Sequence, residues 1–177
     1  MLAGRIVISM LLLSAAVICD IREYRVSNLH TALGLIAGIA LNFAAEGING
    51  LVMSLCGAFI PAIALFTLYA LRMMGAGDIK LFCAIGAISG IKFVTWPMAF
   101  SFLSGGLIAL IIMLVKGNLR ERMLYMLKYL RTCIMTGAIS PYTDFNDKED
   151  GAKFHFTFAI AAGCLITYIV FRLSYLQ

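Results

Sequence analysis

Long apolar runs broken by short charged segments constrain this chain more than any other feature. Charges gather in Asp20–Arg25, Arg72–Lys80, Lys116–Arg131 and Asp144–Lys153, with Glu46 and Lys92 isolated between apolar stretches. In hydrocarbon every backbone N–H and C=O must find its partner within the protein, so such runs are helices. Of 177 residues, 62% are hydrophobic and 13% charged, and the mean hydropathy of +0.97 excludes an ordinary soluble domain. The expectation is an all-α, polytopic integral membrane protein with about six transmembrane helices of ~20 residues and a basic amphipathic surface helix before the last one. No remaining stretch is long and polar enough for a soluble domain, so residues 1–177 read as a single membrane domain.

The spacing predicts helices over Leu2–Cys19, Leu29–Ala45, Leu51–Leu71, Ile79–Gly90, Met98–Val115 and Phe154–Leu173. The first is expected to remain as a helix rather than be removed as a leader, because a charged turn and further spans follow it. Gly34 and Gly38 form a small-xxx-small pair that lets backbones approach. Glu46–Gly50 reads as a tight turn, Pro61 as a bend within its helix, and Lys92–Pro97 as a turn with Trp96 at the interface. Between Lys116 and Arg131, five cations face one acid, and Leu119, Met123, Leu127 and Leu130 recur at near-helical spacing, which gives the surface helix.

The net charge of +5 does not point to nucleic acid, because the cations are scattered among apolar spans without interleaved aromatics. The five cysteines contain no C-x-x-C pair, so no zinc site or disulfide framework is indicated. The acids of Thr143–Lys153 lack both an interleaved histidine and the glycine-centred spacing of a calcium loop, and His155 stands alone. No metal and no cofactor are expected.

Fourteen cations set the orientation. Arg5, Lys92 and Arg172 fall on one side, and the remaining eleven fall on the other, which is therefore cytoplasmic by the positive-inside rule. Both termini are then expected outside. The first helix ends on the cytoplasmic side and the fourth begins there, so Asp20 and Asp78 are placed at the same face and at similar depth. An acid at the end of a membrane segment is paired, wetted or used.

Two carboxylates within hydrogen-bond distance share one proton over a wide pH range. The ionised member takes a proton from an attacking water while the other protonates the carbonyl oxygen of a peptide, and the roles reverse as the amine leaves. Which of Asp20 and Asp78 holds the proton is left open, because such a pair titrates as one system. Gly75 and Gly77 clear space before Asp78 for a substrate strand. Lys80 either offsets the local negative charge or meets a substrate group. A helix break with a capping aspartate explains the G-x-G-D tetrapeptide equally well taken alone.

Asp20-Ile21-Arg22-Glu23-Tyr24-Arg25-Val26-Ser27-Asn28 resembles the D-x-R-x-x-x-(I/V)-P-N segment of type IV prepilin peptidases, which are GxGD aspartyl proteases. Gly75-Ala76-Gly77-Asp78-Ile79-Lys80 is similar to their G-x-G-D-x-K segment, and Phe158–Gly163 to the small-residue run of their last helix. The likeness is nearest to the short form associated with Flp-type, tight-adherence pili. It departs at Ser27, where the family usually has proline, and at His155-Phe156-Thr157, where Pro-Tyr-Gly is frequent.

The resemblance implies catalytic Asp20 and Asp78, with Gly75, Gly77, Lys80, Arg22, Arg25 and Asn28 binding substrate or supporting the dyad. It further implies a prepilin or pseudopilin substrate with a short basic leader, cut at the cytoplasmic face of a bacterial inner or plasma membrane. Membrane lipid and pilus or secretion assembly components are the other partners it suggests. The cysteine-rich insertion of the larger bifunctional enzymes is missing, so cleavage without N-methylation is expected.

The rival from another class is a small transporter or channel subunit with the two aspartates as proton or cation ligands. A presenilin-like protease also uses G-x-G-D, but neither a Pro-Ala-Leu segment nor a Tyr-Asp pair is present.

Overall fold

A computed structural model describes residues 2–23, 28–71, 73–117, 119–136 and 156–174. Among these the chain is helical, without strands: α1 (Leu2–Glu23), α2 (Asn28–Ala70), α3 (Ala76–Ser89), α4 (Ile91–Val115), α5 (Leu119–Thr136) and α6 (Phe156–Ser174). Three of these are long and apolar enough to cross a membrane, within Gly4–Arg22, Asn28–Ala70 and Ile91–Val115, and the apolar part of α6 is shorter. Arg25, Ser27, Arg72, His155 and the acidic segment 143–153 lie outside the described residues.

The 43 residues of α2 are a hairpin rather than a rod. Gly47 leaves helical geometry at φ 60°, ψ −136°, a conformation that glycine adopts without a Cβ clash. Asn42 and Ser54, twelve residues apart, hydrogen-bond at 2.8 Å, whereas in a straight helix they would stand about 18 Å apart. The turn expected at Glu46–Gly50 is therefore present, and two arms, 28–46 and 48–70, run back along each other.

The shorter α3 lies against both arms. A Cβ on Gly38 would come within 2.7 Å of the Ile88 backbone nitrogen, and Gly57 and Gly86 each approach the other's carbonyl too closely to carry a side chain. Small residues thus bring three helix backbones into contact; of the Gly34–Gly38 pair only Gly38 makes such an approach, while Gly34 faces the Leu12 side chain of α1. Asn42 Nδ2 donates to the carbonyl oxygens of Ala87 at 2.8 Å and Ile88 at 3.2 Å, and Ser54 Oγ donates to Ala87 O. The last turn of a helix leaves carbonyls without intrahelical partners, and in hydrocarbon no water satisfies them. Two side chains of the hairpin do so here.

Along α6, the run resembling the family's small-residue segment has a packing role. Gly163 lies against the Ser101 backbone of α4, and Ser104 Oγ donates to Ala159 O at 3.0 Å. Side chains from α1, α2, α3, α4 and α6 close on one core that includes Leu12, Leu65, Phe82, Ile85, Met98 and Ile160.

Some boundaries differ from expectation. The first helix continues through Glu23, so Asp20 and Arg22 belong to its last turn and not to a loop. α3 begins at Ala76, which places Gly77 and Asp78 inside the helix. Lys92–Pro97, expected as a turn, is helical, and the reversal lies at Gly90 with φ 81°. Positive φ at Gly90 completes the turn before Lys92, and α4 continues through Pro97 without its N–H donor.

Candidate active site

The helical repeat of α1 places Leu12, Leu13, Ala16 and Asp20 along one stripe, because positions three and four apart share a face. The first three belong to the core, and Asp20, 8% exposed, continues the stripe at its end. On α3 the stripe is Leu81, Phe82, Ile85 and Ile88, all fully buried. Asp78 precedes Leu81 by three residues and Phe82 by four, so it continues that stripe in the first turn, ahead of the apolar run that starts at Ile79. The two acids therefore end two core stripes of adjacent helices.

Their proximity shows in the electrostatics. Burial and, after it, the charge of Asp20 push the Asp78 carboxyl up to about 6, while the Gly75 backbone N–H, bonded to it, works in the opposite direction. Loss of hydration and a neighbouring like charge both disfavour the ionised form. Gly75 is the N-cap of α3 without a side-chain cap of its own. Asp78, the third helical residue, reaches back to it as in the reciprocal half of a capping box. The capping role is thus real, and it coexists with the influence of the Asp20 charge. A Cβ on Gly75 would sit 3.3 Å from Asp78 Oδ2, so this glycine leaves room for the carboxylate itself.

Lys80 occupies a different face. Residues two apart on a helix point about 200° away from each other, and Lys80 Nζ donates to Asn28 Oδ1 at 2.8 Å, at the start of α2. The two segments singled out in the sequence thus meet through Asn28 and Lys80, and the charge of Asp20 is felt at Asp78. Arg22 is exposed in the last turn of α1. Since the Asn28–Lys80 bond ties α3 to the start of α2, Asn28→Ala and Lys80→Ala should weaken activity to similar extents. The double variant is expected to lose no more than either single one, read as initial rates of whatever peptide the protein cuts.

Two features escaped sequence reasoning. Cys19 Sγ lies 3.8 Å from His30 Nδ1, and a groove of about 400 Å³ runs between α2 and α3, lined by Asn28, Thr31, Ala32, Leu35, Ile36, Lys80 and Cys83. Both join residues from different helices, which spacing along one segment does not reveal. The Asn42–Ser54 clamp had a weak signal, an Asn and a Ser within otherwise apolar runs.

No curated protein and no solved structure matches the chain. A family model does match, that of the type IV leader peptidases, over residues 6–114. That span contains both acids, the Asn28–Lys80 contact between the two segments, and the hairpin that holds α3 in place. It also covers more than half of the sequence, and by it the chain belongs to the type IV leader peptidase family.

Proposed function

We propose that this protein is an aspartic endopeptidase of the membrane that removes the short basic leader of type IV prepilins or pseudopilins, with Asp20 and Asp78 as its dyad. The observation that carries this reading is the mutual placement of two acids from separate helices, one of them held largely protonated below pH 6. Family membership supplies the peptidase class.

In the proposed mechanism Asp78 carries the shared proton and Asp20 is the carboxylate. Asp20 takes one proton from water as the water oxygen bonds to the scissile carbonyl carbon, and Asp78 gives its proton to the carbonyl oxygen. In the second step the protonated Asp20 delivers its proton to the leaving amine. Asp78 recovers one from a hydroxyl of the tetrahedral centre, and the C–N bond breaks. Both carboxyls end as they began.

The finer assignments follow the charge distribution and the sequence resemblance. About six spans, an active site at the cytoplasmic face, outward termini, an Flp-type substrate and no N-methylation together form the working description. Expression with an Flp-type prepilin tests it. The expected result is a leader-sized gel shift and a mature N-terminus that mass spectrometry finds unmethylated. Intact prepilins of several classes, together with ion flux in vesicles carrying the protein, would overturn the protease reading in favour of a transporter.

The raised Asp78 pKa fixes the sign of the pH response. The protonated acid is present below about 6 and is lost as pH rises through it, so kcat/KM of the free enzyme is expected to fall on the alkaline side from that point. In Asp20→Asn the like charge disappears, and the Asp78 midpoint should move down. It should remain above the ordinary value, because burial is the larger cause. The carboxyl C=O band in infrared titration reads this directly.

A further inference from the structure

The family match ends at residue 114, and the helix that follows has surface chemistry that the proposed dyad does not use. α4 runs out at Val115, and Gly117 takes a positive φ of 67°, so the chain turns before α5 begins at Leu119. α5 packs mainly against α4. At about 100° per residue, Leu119, Met123, Met126 and Leu127 fall within one arc of about 100°. Met123 and Leu127 are 45% and 56% exposed. The adjoining arc carries Arg120, Arg131 and Lys128, all exposed, with Leu124 among them and Glu121 at its far edge, opposite the apolar arc. This helix is therefore two-faced, with its apolar face left open by the fold.

The adjoining end of α4 indicates what covers that face. Leu114 and Val115, 59% and 83% exposed, end a helix apolar enough to cross a bilayer. The exposed apolar arc of α5 thus follows, after a short turn, the exposed apolar end of a helix suited to lipid. Its cations match anionic headgroups, and long basic side chains at the border of such an arc can reach phosphates while their stems lie on the acyl chains. We propose that α5 is an anionic-lipid-binding helix that lies in the leaflet into which α4 emerges, with Met123 and Leu127 at acyl-chain level and Arg120, Lys128 and Arg131 engaging phosphate-bearing headgroups.

The test uses the full chain in vesicles of phosphatidylcholine, with and without phosphatidylglycerol, containing lipids brominated on the acyl chain. Trp96, the single tryptophan, is replaced by Phe, and one reporter is introduced at a time, Leu127→Trp on the apolar arc or Glu121→Trp opposite it. The expected result is strong quenching of the Leu127 reporter, weak quenching of the Glu121 reporter, and dependence of the former on phosphatidylglycerol. Combining Arg120→Glu, Lys128→Glu and Arg131→Glu should release the helix. Each cation at a charged surface contributes about fivefold to partition, so losing three costs about a hundredfold and reversing them costs at least that, and the effect of phosphatidylglycerol should fade at high salt.

Equal quenching at both positions would overturn the proposed orientation. Quenching at Leu127 that ignores phosphatidylglycerol and charge reversal would overturn the role of anionic lipid. A Leu127 reporter shielded from both bromolipid and a soluble quencher would mean that protein covers the face. The outcome is independent of the protease reading, because none of these signals depends on cleavage.

Discussion

Asp20→Asn and Asp78→Asn are each expected to reduce prepilin cleavage by about three to four orders of magnitude, with membrane insertion intact. The size follows from the character of the step: an acid that both gives and takes a proton in the reaction leaves little when it becomes an amide, and residues acting as a unit lose activity almost completely when one is removed. The double variant should be no slower than the poorer single one. Both side chains keep their shape as asparagine, and the amide that replaces the Asp78 carboxyl can still accept the Gly75 N–H through its carbonyl oxygen, so the α3 start is preserved. Removing one member of a like-charge pair also relieves repulsion. The variants should therefore unfold at the same temperature as the parent or above it, while losing activity. A gel-shift time course beside a thermal melt in detergent separates the two effects. Retention of cleavage within tenfold by either variant would sink the dyad.

The second large effect concerns glycines without chemistry of their own. Gly57→Val and Gly86→Val should each destabilise the protein by about 3 kcal/mol, the upper part of the usual range for overpacking. Their Cβ atoms would run into the opposing backbone carbonyls of α3 and α2, and backbone held in two helices cannot step aside as a side-chain tip can. Because α3 carries Asp78, activity should fall together with stability. Gly106→Ala is the control, since a Cβ there meets nothing within 4 Å. The measurement is thermal unfolding in detergent with cleavage assayed below the transition. A melting temperature for Gly86→Val like that of Gly106→Ala would refute the close approach of these helices.

Charge within apolar surroundings is the signal that made the candidate site legible. Asp20 and Asp78 stood out because hydrocarbon makes an unexplained acid costly, and counting spans between them gave the expectation that both lie at one face. The turn at Gly47 was legible through Glu46, Asn49 and two glycines close together. The same cues misled at Lys92–Pro97, where a cation, a tryptophan and a proline resemble punctuation. Gly90 supplies the reversal, and Pro97 is tolerated inside α4. What sequence withheld were pairings between distant segments: Asn42 with the carbonyls of Ala87 and Ile88, Lys80 with Asn28, Cys19 with His30. Each partner is ordinary in its own segment, and only the register of packed helices brings them together. Asp78 as a cap and Asp78 as a member of a pair looked like alternatives in the sequence. The first turn of α3 is compatible with both, because the Asp78 carboxyl takes the Gly75 N–H and also feels the charge of Asp20.

The clamp on the carbonyls of Ala87 and Ile88 has a mechanical corollary. With 14 residues, α3 is about 21 Å long, against a hydrocarbon thickness of about 30 Å. Its far end is tied to the hairpin, so the position of Asp78 is metered from that tie, residue by residue. Longer helices enclose so short an element, with Leu81, Phe82 and Ala84 to Ile88 buried, so lipid meets its neighbours rather than α3 itself. The reach of Asp78 is then a property of the protein's own ruler, and each turn added to or removed from α3 would shift the acid by about 5.4 Å along the bundle.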